Sequence, residues 1–191
     1  MKACYFWLWV ILLGFFSLPS AAAGAVDKPL ISAGYTHTLG IQKDGTLWAW
    51  GDNTYGQLGL GDHTQRKSPT QVGTGWVYLA AGWVAVATEW VHSLGLKADG
   101  SLWAWGFNVC GQLGLGDNTD RHSPTQVQVG TRWVAVAAGS YHTLGLKADG
   151  SLWAWGDNAY GQLGLGDTTN RPSPARVAPF NARRVAVIPM F

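Results

Sequence analysis

The chain has 191 residues, a formal net charge of +2 and 13% charged residues, a balance too neutral for an electrostatic hold on DNA or RNA. Its 47% hydrophobic content excludes a disordered chain. The 26 glycines, which follow no collagen period, indicate many tight turns, and the 12 tryptophans indicate large flat surfaces to bury.

The N-terminus has the anatomy of an export signal. Lys2 gives a positive start, residues 5–16 (YFWLWVILLGFF) form an apolar run, Pro19 breaks it, and small residues 20–25 offer cleavage after Ala23 or Ala25. The run falls short of the ~20 apolar residues a spanning helix needs. The expected division is a signal peptide over 1–25 and a repeat domain over 26–191, exported and without a membrane span after cleavage. Cys4 leaves with the signal, so Cys110 has no intramolecular disulfide partner and stability must come from packing.

The rest is one phrase written three times. Residues 41–51 read IQKDGTLWAWG, and both 96–106 and 146–156 read LKADGSLWAWG. The register extends outward: His37, His92 and His142 coincide, as do Gln57, Gln112 and Gln162, then Asp62, Asp117 and Asp167, then Arg66, Arg121 and Arg171. The spacing is 55 residues from His37 to His92 and 50 from His92 to His142. Self-similarity at this period marks a solenoid, an array or a propeller. The longer first interval comes from a doubled phrase, WVYLAAG (76–82) followed by WVAVATE (83–89), which puts Glu89 where the other copies have Gly34 and Gly139. A bulge or altered loop is expected there.

The first copy enters at PLISAG (29–34), late in its first strand, so that strand is expected to be missing or supplied from elsewhere. The third copy shows the full order. WVAVAAG (133–139) and HTLGLK (142–147) read as strands, joined through an Asp-Gly turn with positive φ at both central positions to SLWAWG (151–156). A glycine-rich loop then leads to SPARV (173–177), a proline-started edge strand. Alternation puts Trp153 and Trp155 on one face and Leu152 and Ala154 on the other, and the same holds for Trp48 and Trp50 and for Trp103 and Trp105. A small sheet that is apolar on both faces suits a propeller blade held between neighbours. The fold class is all-β, with about three blades of four antiparallel strands, a partial propeller or a piece of a larger one.

The motifs G-x-x-H-[TS]-L-G-[LI], D-G-[TS]-L-W-A-W-G, G-Q-L-G-L-G-D and R-x-S-P, at a period of 50 between the last two copies, resemble the regulator of chromosome condensation repeat over residues 30–188. That resemblance implies a β-propeller, commonly of seven blades. Trp-Asp repeats have a period of about 40 and a dipeptide absent here, and the blades lack the double glycine of kelch repeats. The resemblance also implies functions: nuclear members act as guanine-nucleotide exchange factors for a small GTPase, and a secreted bacterial propeller of this class inhibits an enzyme.

Repetition argues against a catalytic or metal site. The three histidines sit one per copy without a second ligand at zinc spacing, and are read as packing residues with a hydrogen bond inside the blade. Asp62, Asp117 and Asp167 with their arginines are read as loop braces. The glycine run lacks a P-loop lysine and a following helix, a hydrolytic triad would be unique rather than triplicated, and the repeat phrase does not match the quinone-dependent dehydrogenase propellers. No cofactor, metal or nucleic acid is expected. Contact with a protein partner is assigned to loop positions that differ between copies: Asp52, Thr54, Tyr55, His63 and Gln65; Phe107, Val109, Asn118 and Asp120; Asp157, Tyr160 and Thr168.

The reading is an exported, non-enzymatic protein-binding propeller, with an exchange factor or a secreted enzyme inhibitor as alternatives. Three blades leave two apolar sides, so a homodimer closing a six-bladed ring is expected, with residues 184–188 completing the partner's first blade. The mature chain is expected to begin at Gly24 or Val26. N-terminal sequencing of exported protein checks this, and a product retaining Lys2 in the membrane fraction contradicts it.

Overall fold

The structure is a computed structural model that describes residues 30–42, 44–72, 83–88 and 90–181. The expected signal segment 1–25, the first of the doubled phrases (76–82), Glu89 and the expected strand at 184–188 lie outside the described residues. The described residues form twelve strands and no helix. The first sheet contains β1 (Leu30–Ala33), β2 (His37–Ile41), β3 (Leu47–Gly51) and β4 (Arg66–Gln71). The second contains β5 (Trp83–Thr88), β6 (His92–Lys97), β7 (Leu102–Gly106) and β8 (Arg121–Val127). The third contains β9 (Trp133–Ala138), β10 (His142–Lys147), β11 (Ser151–Gly156) and β12 (Arg171–Asn181).

Each sheet is a four-stranded antiparallel meander in chain order. The registers match from copy to copy: His37 opposes Gly51, His92 opposes Gly106 and His142 opposes Gly156. The sequence repeat is therefore the structural repeat, one blade per copy.

Three expectations need correction. The first blade has its own first strand: β1 pairs with β2 from Leu30 opposite Ile41 to Ala33 opposite Thr38. It needs no strand from residues 184–188. The turn between the second and third strands is not a two-residue Asp-Gly turn, because only its glycine has positive φ (Gly100, 83°). In the second blade Lys97 N bonds Ser101 O around a three-residue loop, and the Asp99 carboxylate accepts from the Ser101 amide and hydroxyl. The outer strands also begin earlier, at Arg66, Arg121 and Arg171, each opposite the last glycine of the preceding strand.

The hydrophobic core lies between blades. Leu39, Ile41, Leu47 and Ala49 of the first blade bury with Trp105 of the second, and Trp103 packs against them. Leu94, Leu96, Leu102 and Ala104 of the second blade bury with Trp133 and Trp155 of the third, beside Trp153. The aliphatic face of each blade receives the tryptophan face of the next. Trp105 and Trp155 are fully buried, and a tryptophan that loses ~150–250 Å² of water contact contributes up to roughly 4–6 kcal/mol.

Backbone geometry makes room for these rings. A Cβ on Gly59 or Gly114 would lie 2.8 or 2.6 Å from the indole nitrogen of Trp105 or Trp155, and both glycines have φ of 72°. Only glycine satisfies both constraints.

Polar bonds key each junction. Trp105 Nε1 and Ser93 Oγ both donate to the Gln57 carbonyl, at 2.9 and 2.8 Å. Trp155 Nε1 and Thr143 Oγ1 make the same pair of bonds to the Gln112 carbonyl. His37 Nε2 meets Ser93 Oγ at 2.9 Å, and His92 Nε2 meets Thr143 Oγ1 at 3.2 Å. The histidine bonds thus cross between blades and are not internal to one. Each hydroxyl commits its single proton to the glutamine carbonyl, so the histidine Nε2 must carry the donated proton. Burial favours the neutral ring, lowering His37 to about 4 despite Asp52 nearby, and His92 to about 3.

Two outcomes follow from this packing. Trp105→Ala should cost ~3–5 kcal/mol of stability, whereas Asn118→Ala, on an exposed loop, should stay within roughly 0.5 kcal/mol. Equal melting temperatures would mean that Trp105 does not join the blades. The second outcome concerns acid. The unfolded chain protonates its histidines near the ordinary value of 6.5, while folded His37 and His92 resist until about 4 and 3. Stability is therefore complete above pH 6.5 and falls progressively as pH drops through about 4 toward about 3; the part lost above about pH 5 belongs to the histidines, because carboxylates with their ordinary value of 3.8 stay largely ionised there. Melting curves across this window should show the fall, and His92→Gln should flatten it. A pH-independent wild type contradicts the buried neutral histidines.

Candidate protein-binding surface

The antiparallel register places two loops of every blade at one end, the short link before each histidine and the long loop after each third strand. Asp52 N bonds Thr36 O, Phe107 N bonds Val91 O and Asp157 N bonds Tyr141 O, tying the two loops together in each copy.

Constant residues frame the long loop. Asn53 Nδ2 donates to the Asp62 carbonyl and carboxylate, while Leu58 N donates to Asn53 Oδ1. Asp62 accepts from Thr64 N and pairs with Arg66 at 2.6 Å. Asn108, Asp117 and Arg121 repeat this set, as do Asn158, Asp167 and Arg171. The arginine bonds and loop amides hold all three aspartates below the usual carboxylate range. These pairs are half-exposed and act as loop staples.

Several of the variable positions brace the same loops. Thr54 donates to Asp52, and His63 Nδ1 lies 2.9 Å from the Thr54 carbonyl. Asn118 donates to the Val109 carbonyl, and Asp120 accepts from Asn108 N. Asp157 accepts from Gln162 Nε2, as Asp52 does from Gln57. Gln65, Val109, Tyr160 and Thr168 are exposed around the rim.

Tyr55 and Phe107 do something else: they belong to a strip of aromatic rings that crosses all three blades. Tyr35 meets Trp90 edge-on at 6.3 Å, and Trp90 meets Tyr141 at 5.2 Å. Tyr141 meets Phe107 at 6.4 Å, and Phe107 meets Tyr55 at 4.7 Å. Tyr35 is 78% exposed and Trp90 40% exposed, a large apolar area offered to solvent. Comparison of the long loops does not reach Tyr35, Trp90 and Tyr141, which sit in the short links before the histidines. The available signal was that Tyr35 and Trp90 occupy one repeat position as aromatics.

Phe107 carries a structural penalty. It stands where Asp52 and Asp157 accept from Gln57 and Gln162, so the buried Gln112 Nε2 is left without an acceptor. An orphaned buried amide of this kind costs ~1–3 kcal/mol.

Burial, and then Asp157, pushes the Cys110 thiol up, away from a nucleophilic thiolate. Burial raises the Tyr141 hydroxyl too, so it stays protonated as a hydrogen-bond donor. Among the described residues no group of three or more His, Cys, Asp or Glu side chains could hold a metal ion.

A β-propeller repeat scaffold with an aromatic strip across its loops is the class that the fold and surface define. The regulator of chromosome condensation (RCC1) repeat matches residues 44–87, 99–146 and 149–188, and a second form of that repeat matches 30–57, 83–112 and 133–162. The chain belongs to this family. It is 36% identical to the ultraviolet-B receptor UVR8 of Arabidopsis thaliana over an alignment of 118 residues that covers 56% of this chain and 24% of the receptor. It is 38% identical over 104 residues to the human probable E3 ubiquitin-protein ligase HERC3, covering 52% of this chain and 9% of the ligase. The chain therefore spans a quarter or less of these relatives. Among solved structures it resembles Prp20p of Saccharomyces cerevisiae, described with its binding to Gsp1p and histones, at 25% identity and a TM-score of 0.69 over 78% of this chain and 37% of Prp20p.

Proposed function

We propose that this chain is an exported, non-enzymatic propeller-repeat protein that binds a protein partner through the strip of Tyr35, Trp90, Tyr141, Phe107 and Tyr55. The observation that carries the reading is Phe107. At that position a stabilising carboxylate is exchanged for a half-buried aromatic that stacks into the exposed strip, at the expense of a buried amide. Structural selection would favour aspartate there; a binding surface favours the ring, since aromatic side chains dominate interface hot spots. Export is supported by the signal anatomy of residues 1–25, and protein binding by membership of a family that includes a binder of Gsp1p and histones.

Phe107→Asp separates binding from folding. The new carboxylate gives Gln112 an acceptor, and a hydrogen bond to a charged group contributes ~1.5–3 kcal/mol, offsetting the ~0.5–1.5 kcal/mol of each of the two lost aromatic pairs, with Tyr55 and Tyr141. The variant should melt no lower than the wild type, yet recover much less partner in cross-linked pull-downs from the exported fraction. Undiminished recovery would remove the strip from the binding site. Accelerated nucleotide release from a small GTPase by the purified protein would instead favour the exchange-factor reading.

A further inference from the structure

The loops beside the aromatic strip carry negative charge that nothing in them balances. Residues 52–65, 107–120 and 157–170 contain six aspartates and no lysine or arginine. Three of these, Asp62, Asp117 and Asp167, pair with the arginines that follow the loops. Among the described residues the other three take only neutral donors. Asp52 accepts from Thr54 and Gln57, Asp120 from the Asn108 amide, and Asp157 from Gln162 and the Ala159 amide. The whole chain is formally +2, so this excess of negative charge is local.

One of the three charges is not required by its loop. In the third blade Asn158 N bonds Asn170 Oδ1 at 2.8 Å, and in the second Asn108 N makes the same bond to Asp120 Oδ1 at 2.7 Å. A neutral amide closes the loop too, so the Asp120 carboxylate brings a charge to the neighbour of Phe107 for another reason. The other two flank the strip. Asp52 N bonds the carbonyl of Thr36, next to Tyr35, and Asp157 N bonds the Tyr141 carbonyl itself. After burial, Cys110, Tyr55 and the Asp157 carboxylate raise the Tyr141 hydroxyl, as a charge beside that ring does.

The rings of the strip also lack a cation. At the opposite end of the blades Lys97 stands 4.3 Å over the Trp103 ring and Lys147 3.5 Å over the Trp153 ring. Among the described residues no lysine or arginine covers a ring of the strip.

Resting on the strip as the binding surface, we propose that its protein partner presents a basic segment, whose arginine side chains lie on the Phe107 and Tyr141 rings and face Asp120 and Asp157. Arginine suits both features, because its planar guanidinium stacks on an aromatic face and donates in a fork to a carboxylate. An acidic segment would be repelled by the three carboxylates, and an uncharged one would gain nothing from them.

Fluorescence anisotropy with the purified protein tests the assignment, using a labelled peptide of alternating arginine and glycine and its lysine and glutamate counterparts. At low salt the arginine peptide should bind most tightly, the lysine peptide less, and the glutamate peptide not at all. The protein is formally positive, so capture of the arginine peptide reports a local attraction. Asp120→Asn keeps the loop bond and should weaken that binding about two- to fivefold at an unchanged melting temperature. Phe107→Leu, which adds no charge, should weaken it by about the same factor. Failure of the arginine peptide to bind overturns the proposal, as does equal affinity for the glutamate peptide or undiminished affinity in Asp120→Asn. Tighter binding of the lysine peptide overturns the stacking of arginine. If the peptide does not bind while Phe107→Leu still lowers partner recovery in the pull-down, the charge assignment fails and the strip stands. Undiminished recovery removes the strip itself.

Discussion

A single backbone carbonyl, that of the glutamine in G-Q-L-G, fixes how one blade meets the next. It accepts an indole N–H and a hydroxyl from the neighbouring blade, at 2.9 and 2.8 Å at the first junction. The indole cannot reach it unless the glycine two residues after the glutamine lacks a side chain, and the ring has nowhere to lie without the aliphatic face beneath it. Sterics, hydrogen bonding and apolar burial therefore converge on one geometry. Wide apolar contact alone would let two sheets slide over each other; the paired bonds define a register. The histidine adds a third directional bond, whose proton placement is settled by the hydroxyl having only one hydrogen to give.

This arrangement makes the chain a one-dimensional object energetically. Among the described residues the strands of each blade pair with one another, and contacts between blades join neighbours along the chain. Stability in such a system is approximately a sum of blade and junction terms. The loops at the blade ends sit outside that sum, apart from their own staples, and are free to carry recognition. The strip from Tyr35 to Tyr55 occupies that territory. Its one intrusion into the frame is Phe107, where surface chemistry displaces a bond that the other two blades keep.

Much of the blade was legible in the sequence because strand alternation and turn residues are local signals repeated three times over. LWAWG placed both tryptophans on one face, and the structure buries that face against the preceding blade. The Asp-Gly turn was misjudged because only its glycine needs positive φ; the aspartate works through its side chain. The short β1 was underestimated because two of the usual six positions precede Leu30, and pairing of the remaining four with β2 suffices. The direction of the histidine bonds was not readable, since it depends on the angle at which the next blade arrives. The binding strip was half readable for the same reason. Tyr55 and Phe107 stand out by comparing copies, but Tyr35, Trp90 and Tyr141 become neighbours only when blade curvature brings separate links together.

The verbatim repetition of residues 96–106 and 146–156 has a consequence for how the chain folds. Two hairpins of identical sequence are equivalent guests for any site that accepts one of them, so a folding chain cannot discriminate between them by the hairpins themselves. A hairpin from the third blade can seat against the first blade in place of its counterpart, with the same tryptophan and the same bonds. Such an intermediate is locally native and globally wrong, and it must open before the correct order can form, the characteristic trap of repeat proteins. The residues that break the degeneracy are the ones that differ between copies, in the loops and linkers. Sequence divergence there serves assembly as well as recognition, because it tells the chain which blade is which.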